Sequence, residues 1–488
     1  MRGSVVLVLA LLVASAHADD STEPAEPAPD SGADELTPGE DIGPVLLIEA
    51  IEIHGNTSTQ SELIRRALPI APGDVLRASD KRLRSARFRV LALGYFREVT
   101  LAMKKGSERG NVVIDINVVE RGTIVLNRLW FGHTNVAPYW LGADAAERNL
   151  FGLGVGVGGG FIFAGKGDIE NTRNQWAAEI RLADGSLRGS PWGAEGSFTV
   201  VRGSDVYRIG GEPTDDADAN YRGFSYSRIG GRFGMTYDLT ALSRLSAMIR
   251  LETIDAELPT APTRVLPDGR VVPVDLHLEP GDSRIVTAGF GFDRDTRPDP
   301  VLPHTGGRIT LAVELGTSAL ASDYDFATLF ARFEHWWPLR EERHSIGVRL
   351  AGGVVVGNAP RFDRIHVADV DRMLTPRALG LVLSNAAPLA LLGTRADKPT
   401  FGDLGGSATV EYVWRIFRGI GISKRIYGGD LFLGAGIWGL AERSDFVYRD
   451  TKVWDALPID LYLDGGLRID TDIGIFELTV ANALGRLR

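Results

Sequence analysis

From about residue 122 to its C-terminus the chain alternates, apolar then polar, in one segment after another. The polar positions include arginine and glutamate in mid-segment. Arg308 to Leu315 places Ile309, Leu311, Val313 and Leu315 on one face and Arg308, Thr310 and Glu314 on the other. Leu245 to Glu252 sets Leu245, Ala247, Ile249 and Leu251 opposite Ser246, Arg250 and Glu252, and Ser407 to Trp414, Leu461 to Ile469 and Phe476 to Val480 repeat the pattern. A period of two is that of a β-strand. A soluble sandwich alternates as well, but charges in the middle of several strands are what a polar lumen requires. Roughly 366 residues, at about 23 per strand and connection, accommodate about sixteen strands. In lipid only helices and closed barrels satisfy the backbone. The expected fold is therefore mainly β: a 16-stranded antiparallel transmembrane β-barrel over 122–488, preceded by one small α+β domain.

Composition agrees. Mean hydropathy is -0.01, and the mature chain holds no apolar run of about 18 residues, which excludes a helical membrane protein but not a barrel whose strands average to neutral. Connections fall into two classes: short glycine-containing turns, and long polar loops at Gly211 to Tyr221, Ala256 to Asp282, Asn358 to Thr375 and Ala441 to Pro458. That asymmetry suits short periplasmic turns and longer external loops. Trp336-Trp337 and Tyr412 to Trp414 sit where interfacial aromatic girdles belong.

The N-terminus reads as an export signal over 1–18, with Arg2, an apolar stretch from Val5 to Ala14 and Ala16-His17-Ala18 as the cleavage site. A linker over 19–45 follows. Its Asp19 to Pro44 segment has nine acidic residues, five prolines and no lysine or arginine, a composition that cannot offset chain entropy. This tail accounts for most of the formal net charge of -10. The near-neutral remainder argues against nucleic-acid binding, and the absence of cysteine excludes disulfides and thiolate chemistry.

Residues 46–120 read as a compact domain. An apolar strand runs from Val45 to Ile53, a helix over Ser61 to Leu68 with Ser58 as its cap, and a second helix from Ser79-Asp80 to about Leu93. Gly94, Tyr95 and Phe96 then open a hairpin, with Val112, Ile114, Ile116 and Val118 at period two. This β-α-α-β-β order with Gly-Tyr-Phe resembles a POTRA domain.

One such domain before an alternating region resembles the BamA/TamA surface-antigen superfamily of outer-membrane assembly and secretion barrels. Asn149-Leu150-Phe151-Gly152-Leu153-Gly154 is similar to the segment near the start of that family's barrel. Asp293, Asp295 and Arg297, with Pro303-His304-Thr305-Gly306-Gly307, resemble its most specific hairpin. Gly405-Gly406 with Glu411-Tyr412, and Leu431 to Gly436, resemble two later strands. The family's inward-folded loop tip would fall near Pro376-Arg377-Ala378-Leu379-Gly380, where only the arginine and an offset glycine match, and the aspartate of the second strand is Gly434. The resemblance therefore implies an ion pair between loop and barrel wall, Arg377 with Glu411. The C-terminal Leu484 to Arg488 lacks the aromatic end usual in the family.

No chemistry of catalysis emerges. Gly154 to Gly159 matches G-x-G-x-x-G, but Phe161-Ile162-Phe163 continue the β alternation where a dinucleotide site needs a helix. Lumen-facing or curved-strand glycines explain it better. The eight histidines show no metal spacing, there is no G-x-S-x-G, and Asp215-Asp216-Ala217-Asp218 lacks the glycine and glutamate of an EF-hand. No cofactor, metal or enzyme activity is expected. The resemblance implies a monomeric barrel in outer-membrane lipid, with the POTRA domain and linker in the periplasm. It would serve as an assembly or insertion factor that recruits unfolded polypeptide clients through the POTRA domain and templates their strands at the barrel seam, near Thr123 to Phe131 and Gly474 to Leu484. The alternatives are a two-partner polypeptide-secretion translocator and a passive pore or surface antigen.

Overall fold

The computed structural model describes residues 44–481 except 78–79, 135, 212–216, 241, 301, 340–342, 371–376, 385–390, 393–399, 424 and 443–457. The export signal, most of the acidic linker, Ser79, the Asp215-Asp216 pair, Pro376 and the C-terminal Leu484 to Arg488 lie outside the described residues.

The first domain is a four-stranded sheet with two helices. Its elements are β1 (Leu46–His54), α1 (Ser61–Ala67), β2 (Val75–Leu76), α2 (Lys81–Ala92), β3 (Phe96–Lys105) and β4 (Asn111–Glu120). The sheet order is β2-β1-β4-β3, with β1 and β4 parallel. Ile48, Ile64, Val90, Val99, Ile114 and Ile116 form its core. Asp80 caps α2 by accepting from the Arg82 N–H at 2.8 Å. The expected Ser58 cap of α1 is corrected. The Ser58, Thr59 and Thr57 N–H groups instead donate to the carboxylate of Glu120, at 2.7 to 3.1 Å. A carboxylate 62 residues away satisfies several amides at once, which one serine hydroxyl cannot do.

The barrel strands are β5 (Ile124–Gly132), β6 (Trp140–Leu150), β7 (Val155–Ala164), β8 (Gln175–Asp184), β9 (Trp192–Arg208), β10 (Tyr221–Thr240), β11 (Ser243–Glu257), β12 (Gly281–Asp295), β13 (Gly306–Gly316), β14 (Phe326–Pro338), β15 (His344–Gly357), β16 (Leu404–Ser423), β17 (Ile426–Ala441), β18 (Ile459–Thr471) and β19 (Gly474–Ala481). Each pairs antiparallel with its neighbours in one sheet of fifteen strands among the described residues, against the sixteen expected. Sixteen follows from evenly spaced strands, whereas β15 ends at Gly357 and β16 starts only at Leu404.

Burial is inverted relative to a soluble protein. On β11 the apolar Ile249 and Leu251 are exposed, while Arg250 and Glu252, which alternate with them, are buried. On β13 Leu311, Val313 and Leu315 are likewise exposed. The apolar face looks outward, as lipid requires. No described helix is long and apolar enough to cross a membrane.

The connection between β15 and β16 enters the lumen. Phe362, Ile365, Val367, Val370, Ala378, Leu381 and Leu383 are buried against wall residues that include Tyr226, Trp438 and Tyr462. The glycine-rich β7 faces this insertion. A Cβ at Gly160 would sit 2.8 Å from an oxygen of Asp144 and 3.3 Å from Leu379 of the loop. Glycine there clears space for the loop, and the G-x-G-x-x-G match runs into strand β7 (Val155–Ala164) and not into a helix.

Candidate functional site

Three features define the site: a seam at the ends of the sheet, a loop in the lumen and the docked N-terminal domain. The seam lies between β5 and β19, the two outer strands in the sheet order. Interior neighbours form full ladders; β18 and β19, for example, pair from Asp464↔Ala481 to Thr471↔Gly474. Among the described residues one backbone hydrogen bond crosses the seam, from the Leu126 N–H to the Ile473 carbonyl at 2.6 Å. Fourteen antiparallel steps separate β5 from β19, so these two strands run in the same direction. Outward-facing Leu129, Phe131, Leu478 and Val480 are exposed beside it.

The lumen loop is held by charge. Arg250 of β11 donates from both terminal nitrogens to Asp363 of the loop, at 2.9 and 2.8 Å, and its Nε lies 2.9 Å from Glu314 of β13. Arg361 donates to Asp205 of β9, and Arg228 of β10 pairs with Glu252 while its guanidinium lies 4.1 Å from the Phe362 ring centre. These loop-to-wall pairs were not anticipated. The signal available was Arg250 in mid-strand on the polar face.

The expected Arg377–Glu411 pair is absent. Arg377 instead donates to Asp369, at 3.1 Å, and to the Phe362 carbonyl, at 3.2 Å, both within the loop. Glu411 on β16 is taken by the wall itself, by Arg349 of β15 at 2.9 Å and by Arg468 of β18 at 2.7 and 2.8 Å. Two strands on either side of β16 thus supply the arginines. Their fixed inward faces bring the charges together without ordering a loop.

The other family motifs shape turns. Asp295 accepts from Arg297 at 2.6 and 2.9 Å, Arg297 also reaches Glu334 at 3.3 Å, and Asp293 accepts from Arg308 at 2.8 Å and Thr310 at 3.1 Å. Gly306 has φ +81°, and a Cβ there would meet the Thr296 carbonyl at 2.6 Å. His304 of this turn is buried between Asp430, 3.1 Å away, and Ser345, 3.0 Å away.

The Asn149 to Gly154 segment docks the first domain. Asn149 donates to the Thr59 hydroxyl at 2.9 Å and accepts from the Gly154 N–H at 2.7 Å. Gln60 donates to the Gly152 carbonyl at 3.1 Å, and Gln60 also reaches the Phe151 carbonyl at 3.4 Å. Gly152 adopts φ +73°, and a Cβ on it would fall 2.2 Å from the Ser58 carbonyl. Leu150 ends β6 just before this turn. Gly94, with φ +76°, closes α2; Phe96 enters the domain core, and Tyr95 donates to the Gly154 carbonyl at 3.4 Å.

A cavity of about 450 Å³ on the lumen side is lined by Gly156, Gly158, Glu179, Arg181 and Met248 among others. Glu52, His54 and Asp115 cluster on the first domain, but the Lys104 ammonium sits 3.0 Å from Asp115 and 3.6 Å from Glu52, where a cation would lie.

Residues 46–121 match the surface antigen variable number repeat, POTRA. Residues 149–488 match the Omp85 superfamily domain. The outer membrane protein assembly factor BamA of Nitratidesulfovibrio vulgaris is 22% identical over 377 residues, which are 76% of this chain and 42% of that protein. The protein of the same name from Neorickettsia risticii is 33% identical over 105 residues, 22% of this chain and 14% of that one. The chain thus spans less than half the length of these curated relatives. Among solved structures, CdiB from Escherichia coli superposes with a TM-score of 0.56 at 10% identity, covering 89% of this chain and 72% of that one. BamA from Haemophilus ducreyi lacking POTRA domains 1–3 gives 0.48 at 13% identity, with 89% and 80% covered.

Proposed function

The chain belongs to the Omp85 superfamily, and on that premise we propose that it is an outer-membrane assembly or insertion factor that templates client β-strands at its seam. The observation that carries this reading is the seam itself: among the described residues, one backbone hydrogen bond crosses it where every other neighbouring pair has a ladder. Unpaired N–H and C=O groups at the depth of a bilayer cost several kcal/mol each. A client strand entering there satisfies both edges through its main chain, with little demand on its sequence. Because β5 and β19 run the same way, one strand, or any odd number, inserted between them pairs antiparallel with both. Such a process needs no nucleotide and no catalytic side chain. The POTRA domain would lie in the periplasm, where unfolded clients arrive, and the relatives named as assembly factors support the same assignment.

The test uses the absence of native cysteine. Paired cysteines introduced near Phe131 and Leu478, which the parallel run from the Leu126–Ile473 contact brings level across the seam, would lock it by a disulfide in the purified full chain, reconstituted in lipid vesicles with an unfolded barrel client. Client folding, read as gel-shift resistance to heat, should stop when the seam is oxidised and recover on reduction. Undiminished folding with a fully oxidised seam would exclude the reading. A translocator, by contrast, would pass polypeptide through the lumen and tolerate the locked seam.

A further inference from the structure

The N-terminal domain touches the barrel on both sides of the seam. On the β5 side it is docked through Asn149, Gly152 and Gly154, as described above. On the β19 side, Arg121, which follows β4, lies 3.3 Å from Asp470 near the end of β18. Arg97 of β3 and Arg121 both place their guanidinium groups over the ring of Tyr427 on β17, at 5.8 and 5.9 Å from its centre. The Arg121 N–H also donates to the Tyr95 carbonyl at 3.0 Å, so the residue that grips β18 is itself tied into the domain. The connecting Gly122 passes directly over the turn between β18 and β19, where a Cβ would meet the Asp472 carbonyl at 2.4 Å. The seam hydrogen bond seen among the described residues, at Ile473, comes from that same turn.

We propose that the POTRA domain is a clasp across the barrel seam, and that β5 and β19 separate only when its grip on Asp470 and Tyr427 is released. The two attachments differ in kind. The β5-side contact is a buried backbone and amide docking, built to persist. The β19-side contact is an ion pair and two cation–π contacts around one ring, which can let go without unfolding either partner. The domain therefore pivots on its β5-side dock, and whatever binds it and tilts it away from β17 and β18 frees the seam. This inference gives the proposed function its control, but the seam opening it describes exists with or without a client.

Spin labels on Arg128→Cys and Thr479→Cys, in the full chain in vesicles and with no client present, report the β5–β19 separation directly. Combining Arg121→Gln with Tyr427→Leu should raise the separated population roughly fivefold to tenfold over the parent. The charge exchange Arg121→Asp with Asp470→Arg should restore most of the closed state, which guards against simple misfolding. Removing an unrelated exposed pair, Arg270→Gln opposite Asp268, should leave the distances alone. An unchanged distance distribution in the release variant, or equal broadening from Arg270→Gln, would overturn the clasp. A clasp that releases normally while client folding ignores the seam lock would instead count against the templating reading alone.

Discussion

Arg250 is the strongest single hold on the lumen loop, and its removal has a calculable asymmetry. Its side chain is 2% exposed and faces Asp363, Glu314 and Glu252 together. In Arg250→Ala, Asp363 and Glu314 are left buried without their cation, while Glu252 keeps Arg228. Breaking a buried pair this way costs about 3–5 kcal/mol. In Asp363→Asn the guanidinium retains Glu314, and the amide still accepts one hydrogen bond, so the cost is about 1–2 kcal/mol. At about 1.4 kcal/mol per factor of ten, the first change shifts the loop's docked population by about two to three and a half powers of ten and the second by roughly one. Arg361–Asp205 and the apolar packing of Ile365, Val367 and Leu381 persist, so release is confined to the segment around residue 363. Single-channel recording in planar bilayers reads this as opening frequency. Rare openings in the parent should become frequent in Arg250→Ala and intermediate in Asp363→Asn. Equal effects, or a larger effect from Asp363→Asn, would refute the reasoning, because both break the same bidentate contact and only the charge left behind differs.

Two further outcomes concern the N-terminal domain. Gly152→Ala meets both a left-handed backbone and a carbonyl 2.2 Å away, so it should weaken docking by about 1–3 kcal/mol; labels on the domain and the barrel wall should then report a broadened distance, whereas Gly73→Ala, at an open position, should not. Glu120 is pushed up by burial, but hydrogen bonds from Thr57, Thr59 and Ser58 outweigh this and hold it down at about 2, below its ordinary 4.5. A depressed carboxylate stabilises above its unfolded value, and that contribution is lost as pH falls from 4.5 towards 2. Because Glu120 is largely solvated, the contribution is about 1 kcal/mol after screening. Hydrogen-exchange protection of residues 57–61, corrected for intrinsic rates, should fall across that window in the parent and stay flat in Glu120→Gln.

How much of this was legible depended on whether a feature repeats. The alternation at Leu245 to Glu252 and Arg308 to Leu315 gives the barrel and the orientation of its faces, because a strand's side chains have only two directions. The strand number was less accessible, since one long connection folds inward and breaks the even spacing. Arg250, Glu252 and Glu314 were visible as mid-strand charges, but Asp363 lies in a loop with no period, so its partnership could not be read. Arg377 shows the converse. A match to a loop motif suggested Glu411, but Asp369 is eight residues away, and closing a short loop costs less entropy than reaching the wall. Glu411 meanwhile faces Arg349 and Arg468 from its own sheet. The seam was legible only as the two ends of the alternating region; that the end strands are parallel follows from the odd count alone.

The closures differ in what resists them, and this orders their opening. The lumen loop is held by a buried guanidinium with several carboxylates and by an apolar core, so its release exposes both charge and hydrocarbon to water. The docked turn at Asn149 to Gly154 is held by buried amide hydrogen bonds across a close backbone contact. The clasp at Arg121 is a part-buried ion pair with two ring contacts, worth at most a few kcal/mol. Among the described residues the seam beneath it keeps one backbone hydrogen bond, a net of about 1 kcal/mol. Separating the described parts of β5 and β19 therefore forfeits little that the resting barrel possesses. The weakest step is therefore the lateral one, and it is guarded by the next weakest. A force applied to the N-terminal domain would part the seam before it disturbed the lumen loop.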